Sequence, residues 1–566
     1  MTPAALRAAA ATLAAALAVG QCAPAPPPTP PPFTVVEATI PEMQAAMAEG
    51  RVTSRQLVEQ YLVRIGLYEN DLNAAIAINA NALAEADARD RERAAGQVRG
   101  PLHGIPLALK DNIHTTNMPT SGGTLRFKGY VPPYAATLTV NLEAAGAIII
   151  AKTTLSELAG YMAGPGNYNG AVGHAFNPYD PRPDPRPDTF DGRGALTPAG
   201  SSSGSGTAAN LWAASVGTET AGSILGPSNI SMLAAVKPTV GRVSRWGVIP
   251  ITADQDTAGP MARTVTDAVI LFGAMEGASP DPNDPATTRC EPPPNRDYTP
   301  FLDAAALKGA RIGIPRAFYY DPITLGGESR GGLNEAQRAA MAEAIEVLRA
   351  QGAEIVDPVD LPSVVDPNPD RHITQWSFCG SATEGRGGDA DCTAVVKYGM
   401  KRDFNLWLDS LGETAPVKTL TELRAWNRAN EKAGAMRYGQ ARLDISDEVD
   451  LERDRPRYEA DRARDLELTT TRGIDAVMAE HNLDALLFPA SSGAGFAARP
   501  GYPTVMSPFA TVPNAPTPAF PDGFDAKPAP YGVSFTGLAC SEPRLIGLAY
   551  AFEQATRRRV PPPAFP

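Results

Sequence analysis

Serine is the residue whose spacing first points to chemistry in this chain. Residues 200 to 206 read Gly-Ser-Ser-Ser-Gly-Ser-Gly, and residues 217 to 226 read Gly-Thr-Glu-Thr-Ala-Gly-Ser-Ile-Leu-Gly. A flexible linker would lack the apolar insert between them, which reads as a short Ala-rich helix over Thr207 to Val216. Small residues let a backbone approach a ligand closely and turn its N–H groups inward. Oxyanion holes are built from such groups, each worth roughly 3 kcal/mol on a developing negative charge. Ser223, closing Thr-Ala-Gly-Ser, is then a nucleophile beside its own donors.

A serine hydroxyl needs a base, and histidine is the default. The five histidines, His103, His114, His174, His372 and His481, lie in no motif with a carboxylate. A lysine can serve if neutral. Moving its pKa from about 10.4 to about 7 costs about 4.6 kcal/mol, within the reach of burial. Lys110 follows Ile105-Pro106-Leu107-Ala108-Leu109, an apolar approach that carries the ammonium inward. Read alone, a lysine is a solvated surface charge, so its context decides. Gly200 to Gly204 also satisfies Gly-x-Ser-x-Gly, the nucleophile elbow of α/β-hydrolases, with Ser202 as nucleophile and His372 or His481 as base. An elbow must follow a strand, and Ala195-Leu196-Thr197-Pro198-Ala199 is not one.

The elements that must position these residues alternate between helix and strand. Ile40 to Ile65 predicts two amphipathic helices, with Thr53-Ser54 capping the second. Ala147 to Ala151 is a short all-apolar run, the pattern of a buried strand. Arg311 to Ile314, Ala353 to Val356 and Leu483 to Phe488 predict further strands, and residues 335 to 350 a helix. This is an α/β class with a large mixed or parallel sheet. Asn177 to Gly200 and residues 277 to 296 are Pro/Gly/Asp-rich loops within one domain spanning 34–566.

The chain has 566 residues, 43 % hydrophobic and 20 % charged, enough for a sizeable core and against wholesale disorder. A net charge of −12 argues against a nucleic-acid partner. No Cys-x-x-Cys, His-Glu-x-x-His or Walker-type run occurs, so neither a metal nor another cofactor is expected. Arg7 and the Ala/Leu run from Ala8 to Val19 have the form of a signal peptide, too short to span a bilayer. Residues 1–22 therefore read as a signal peptide and 23–33 as a Pro-rich linker, giving a periplasmic or secreted protein. Lipidation of Cys22, a second option that Gln21 suits poorly, would be the route to a membrane. Cys290, Cys379, Cys392 and Cys540 then remain, an even number in an oxidising compartment. Cys379 and Cys392 flank a Gly-rich loop that a disulfide could close; four buried thiols are the other reading.

Four ordered motifs carry a family resemblance. Gly104 to Asn112 (Gly-Ile-Pro-Leu-Ala-Leu-Lys-Asp-Asn), Gly200 to Ser205, Gly217 to Ile224 and Val236 to Ser244 (Val-Lys-Pro-Thr-Val-Gly-Arg-Val-Ser) resemble segments of the amidase signature family. The match continues through Asp256 to Arg263 and ends near Ser541-Glu542-Pro543, nearly the whole chain after the proline run. The Gly-Thr-Glu-Thr form is most like exported bacterial amidases and peptide amidases.

The resemblance implies an amidase-signature fold, a large mixed β-sheet covered by helices on both faces, and a Ser-cisSer-Lys triad. Carried over by motif, Ser223 is the nucleophile, Ser201 the bridging serine and Lys110 the base, with the N–H groups of Thr220, Ala221, Gly222 and Ser223 as the oxyanion hole. The implied reaction is hydrolysis of a carboxylic amide through an acyl-enzyme, releasing ammonia or an amine from a small-molecule or peptide substrate. The stretch between the two serine motifs is two residues shorter than is usual in the family, so Ser202 or Ser203 could take the bridging role. Leu225 stands where many members have Arg, which weighs against a tRNA-dependent amidotransferase component. The Asn177 to Gly200 loop is longer than the family pattern and is expected to wall the entrance. Tyr161, Met162 and Asn167 are pocket-lining candidates, with ordinary packing as the alternative. An exported binding protein that keeps the fold without catalysis is the rival from another class.

Overall fold

The computed structural model describes residues 32–162, 167–187, 191–198 and 201–566. The expected signal segment and almost all of the proline run lie outside the described residues, as does Gly200. From Thr34 to Pro566 the chain forms one unit built on an 11-stranded mixed sheet. In chain order its strands are β1 (Ala75–Ile78), β2 (Pro106–Lys110), β3 (Ile148–Thr153), β4 (Ala214–Glu219), β5 (Ala234–Lys237) and β6 (Thr257–Ala262), then β7 (Arg311–Gly313), β8 (Glu354–Val356), β9 (Ala485–Pro489), β10 (Thr504–Val512) and β11 (Ala529–Thr536). They lie side by side as β1-β3-β2-β4-β6-β5-β10-β11-β9-β7-β8. Neighbours β3, β2 and β4 run parallel, and so do β9, β7 and β8; the other pairings are antiparallel.

Every residue of β2, β3, β4, β5 and β6 is buried. Strands buried on both faces need a cover on each, and helices supply it. Those used below are α1 (Ile40–Ala48), α2 (Ser54–Leu72), α3 (Ser203–Ala208), α4 (Leu225–Asn229), α5 (Glu335–Ala350), α6 (Val395–Ser410), α7 (Leu420–Ala429) and α8 (Ala441–Asp447). Thr53 caps α2 as expected: its hydroxyl accepts from the Gln56 N–H while the Gln56 side chain returns to the Thr53 N–H. α5 occupies the predicted residues, and the strands expected near 148, 311, 354 and 485 all form.

One expectation needs correction. The Ala-rich insert is not a helix over Thr207 to Val216: α3 begins inside the serine run and ends at Ala208, and Ala214 to Val216 already belong to β4. Asn210 takes a left-handed φ of 56°, which turns the chain out of the helix. Gly206 lies against the buried Trp212 ring: a Cβ there would be 2.0 Å from Cζ2. The insert is therefore a tight helix, turn and strand, its local helical preference overridden by pairing of β4 with β2 and β6.

Candidate active site

The loop from Thr220 to Ser223 joins β4 to α4. Thr220, Gly222 and Ser223 are half-buried and Ala221 is exposed, so this loop faces outward at the end of a buried strand. Gly222 holds φ at +118°, a conformation that side chains resist. None of the four N–H groups from Thr220 to Ser223 donates to an acceptor among the described residues. The next two are taken: Glu219 Oε2 accepts from Ile224 N at 2.7 Å and Leu225 N at 2.9 Å. The carboxylate thus pins the start of α4 and leaves the four preceding N–H groups without an acceptor among the described residues. Thr220 is held in turn by its hydroxyl bond to Asp256, whose other oxygen accepts from Ile251 N (2.8 Å) and Thr252 N (2.9 Å). Burial pushes the Asp256 carboxyl up to about 6, with these bonds and Arg245 opposing.

Lys110 ends β2 and has no exposed surface. Burial lowers its pKa to about 7 against the opposing pull of Glu219 and Asp256. That is the neutral-capable lysine the reaction would need. Nζ donates to Thr218 O at 3.0 Å. Its sequence neighbour Asp111 turns elsewhere, pairing with Lys152 at 3.0 Å and accepting from Ser121 N and Oγ. Asn112 Nδ2 reaches Thr218 Oγ1 at 3.0 Å, so Lys110 and Asn112 both fasten onto the residue before Glu219.

The serine run lies beside the same strands. Ser201 bridges to Leu155, and Ser202 N donates to Thr154 O. Ser201 Oγ donates to Ser203 Oγ at 2.8 Å, and Ser203 Oγ lies 2.6 Å from Thr153 Oγ1. Thr153 is level with Lys110 across the β2–β3 pairing, so this hydroxyl chain ends next to the lysine's strand position. Ser201, Ser202 and Ser203 are all buried. Among the described residues Ser201 is not hydrogen-bonded to Lys110 or Ser223, and the peptide entering Ser201 starts at Gly200, outside them.

The elbow alternative finds no support. Ser202 N-caps α3 after an isolated bridge, not a strand. His372 contacts Thr374, and no histidine among the described residues bonds a serine of the 201–205 run. The pocket candidates also move. Tyr161 and Met162 are buried in the core of a helical lobe with Phe404 and Trp407 of α6, Leu423 of α7 and Leu443 of α8. Asn167 braces a hairpin through Ala175 O. Tyr161 and Met162 are packing residues, because the apolar faces of the lobe need partners. Glu219 and Asp256 fall within the sequence motifs, yet only the fold gives them work. The available signal was a carboxylate in each case beside a strand too apolar and glycine-rich to be exposed.

The model of a family described as Amidase matches residues 56–546. A probable amidase of Arabidopsis thaliana is 33 % identical over 539 residues, 94 % of this chain and 92 % of that protein. An amidase family protein from Bacillus anthracis superposes with a TM-score of 0.75 at 29 % identity, covering 93 % of this chain and 92 % of its own. The X-ray structure of native peptide amidase from Stenotrophomonas maltophilia superposes with a TM-score of 0.77 at 35 % identity, over 94 % of this chain and 99 % of that one.

Proposed function

Because the chain belongs to the amidase family, it hydrolyses carboxylic amide C–N bonds, and we propose that Ser223, Ser201 and Lys110 carry that reaction as nucleophile, bridging serine and base. The observation behind this assignment is a partly exposed serine at the end of four unclaimed N–H groups, near a buried lysine whose pKa lies at about 7. Neutral Lys110 takes the Ser201 proton as Ser201 takes that of Ser223, whose Oγ adds to the amide carbonyl carbon. The carbonyl oxygen gains the negative charge and is met by the N–H groups of Thr220 to Ser223. Collapse breaks the C–N bond while the proton returns through Ser201 to the leaving nitrogen. Water then cleaves the ester by the same relay. The relay requires the Ser201 hydroxyl, which donates to Ser203 in this structure, to turn from that bond.

The substrate we propose is a small-molecule or peptide amide, with C-terminal peptide amides the first to assay given the likeness to a peptide amidase. Release of ammonia or an amine is the readout. We propose further that the protein is exported, to the periplasm or beyond, by residues 1–22. In support, Cys290 pairs with Cys540 and Cys379 with Cys392, bonds that persist in oxidising compartments. The test is treatment with a fluorophosphonate probe and location of the adduct by peptide mass spectrometry. Labelling of Ser223 is expected. Labelling of Ser202 would return the elbow mechanism, and absence of labelling in folded protein would favour a non-catalytic role.

A further inference from the structure

Beside the proposed base lie two buried charges that the relay does not use, Glu219 and Lys237. Lys110, Glu219 and Lys237 are 0 %, 1 % and 0 % exposed, and stand on β2, β4 and β5 with β6 intervening. Buried charges are costly unless they compensate one another. Lys110 follows Leu109, which is level with Val216 of β4, and Glu219 is level with Thr257 of β6. Two paired glycines, Gly217 and Gly259, lie between the lysine-bearing strands. A Cβ at Gly259 would be 2.1 Å from Val236 O and 3.0 Å from Pro238 Cδ, the residues on either side of Lys237. The sheet therefore carries no side chain between the two lysines at that level.

The hydrogen bonding is asymmetric. Glu219 Oε2 serves Ile224 and Leu225, while its buried Oε1 has no partner. Lys237 Nζ donates to Tyr502 O and Lys110 Nζ to Thr218 O, one bond each among the described residues. Both ammonium groups feel Glu219. Lys110 also faces Asp256; Lys237 also faces Glu542 and, repulsively, Arg289. Burial lowers Lys237 to about 8, so it is cationic where Lys110 titrates.

We propose that Lys237 is a positioning residue for the reaction: acting through the Glu219 carboxylate, its ammonium keeps Lys110 free to accept a proton. Without it, Glu219 would pair with protonated Lys110 alone and hold the base in its inactive form. A second cation competing for that carboxylate favours neutral Lys110. The inference rests on the reading of Lys110 as base.

The experiment is the pH profile of kcat/KM for amide hydrolysis in the full-length protein, comparing wild type with Lys237→Met, Glu219→Gln and Lys110→Ala. Lys237→Met is expected to move the acidic limb roughly one pH unit toward alkaline, recovering rate above the new limb. Glu219→Gln, which keeps an acceptor for Ile224 and Leu225, is expected to move it toward acid. A Lys237→Met limb that stays in place while rate falls equally at every pH would make Lys237 structural and overturn the proposal. Should Lys237→Met not fold, an unmoved or alkaline-shifted Glu219→Gln limb would overturn it equally. Full activity in Lys110→Ala would instead remove the base assignment; an inactive Lys110→Ala with unmoved limbs would remove only the role of Lys237.

Discussion

Lys110, the proposed base, has no exposed surface and a pKa near 7, which ties the proposed catalysis to stability at a single residue. Its neutral form is the one that accepts a proton, so amide hydrolysis is expected to fall as pH drops below about 7. A pH–rate profile flat from about 8 to about 5.5 would contradict a lysine base with this pKa. Ser223→Ala is expected to lower kcat/KM by roughly 10³-fold or more, with far-UV circular dichroism unchanged. The same lysine weighs on the fold. An unfolded lysine titrates near 10.4, so between about 7 and 10.4 the native state binds fewer protons and stability rises with pH. Lys110→Met, though inactive, is therefore expected to be more stable than wild type at pH 7, by about 1–4 kcal/mol in urea titration. That gain should shrink toward pH 10. Lys110 and Ser223 were singled out in the sequence by the ordered motifs that contain them, since a lysine read alone is a solvated surface charge. Glu219, Asp256 and Lys237 were not, since their work depends on which strands lie side by side.

At the scale of elements, propensity located what is regular. α5 came from its amphipathic period, and β3 and β9 from short apolar runs between turn residues. It misplaced the insert between the serine motifs, where sheet pairing draws Ala214 to Val216 out of a helix and a ring-to-glycine contact fixes the bend. That contact can be tested. Gly206→Ala pushes a methyl into the Trp212 ring, which is anchored by its Nε1 bond to Thr207 Oγ1. A loss of about 1–3 kcal/mol is expected in thermal or denaturant unfolding. Because α3 carries Ser203, the bonded neighbour of Ser201, slower fluorophosphonate labelling of Ser223 should accompany it. Labelling at the wild-type rate would show that α3 packing and the serine cluster are uncoupled.

For the whole molecule, the sequence implies an α/β fold with a large mixed sheet, and the 11 strands agree. Their order was not legible, because β10 and β11 enter the middle of the sheet from more than 200 residues after β5, and only tertiary pairing specifies that. The two disulfides divide by reach. Cys379–Cys392 spans 13 residues and Cys290–Cys540 spans 250. In the chain-entropy account the longer closure stabilises more, about 5–6 kcal/mol against about 3 kcal/mol. Cys540→Ser is therefore expected to lower the unfolding midpoint more than Cys392→Ser, a ranking that calorimetry of the two variants would decide.

The Cys290–Cys540 bond also closes a covalent ring around β7 to β11 and the helical lobe, while Lys110, Ser201 and Ser223 all precede it in the chain. A protease that nicks the backbone anywhere between residues 291 and 539 opens the ring without dividing the molecule. Nicked protein would keep its mass on a non-reducing gel and separate into two fragments only after reduction. Its acylation chemistry, borne on the uncut segment, could then outlast damage that would dismember an unlinked chain.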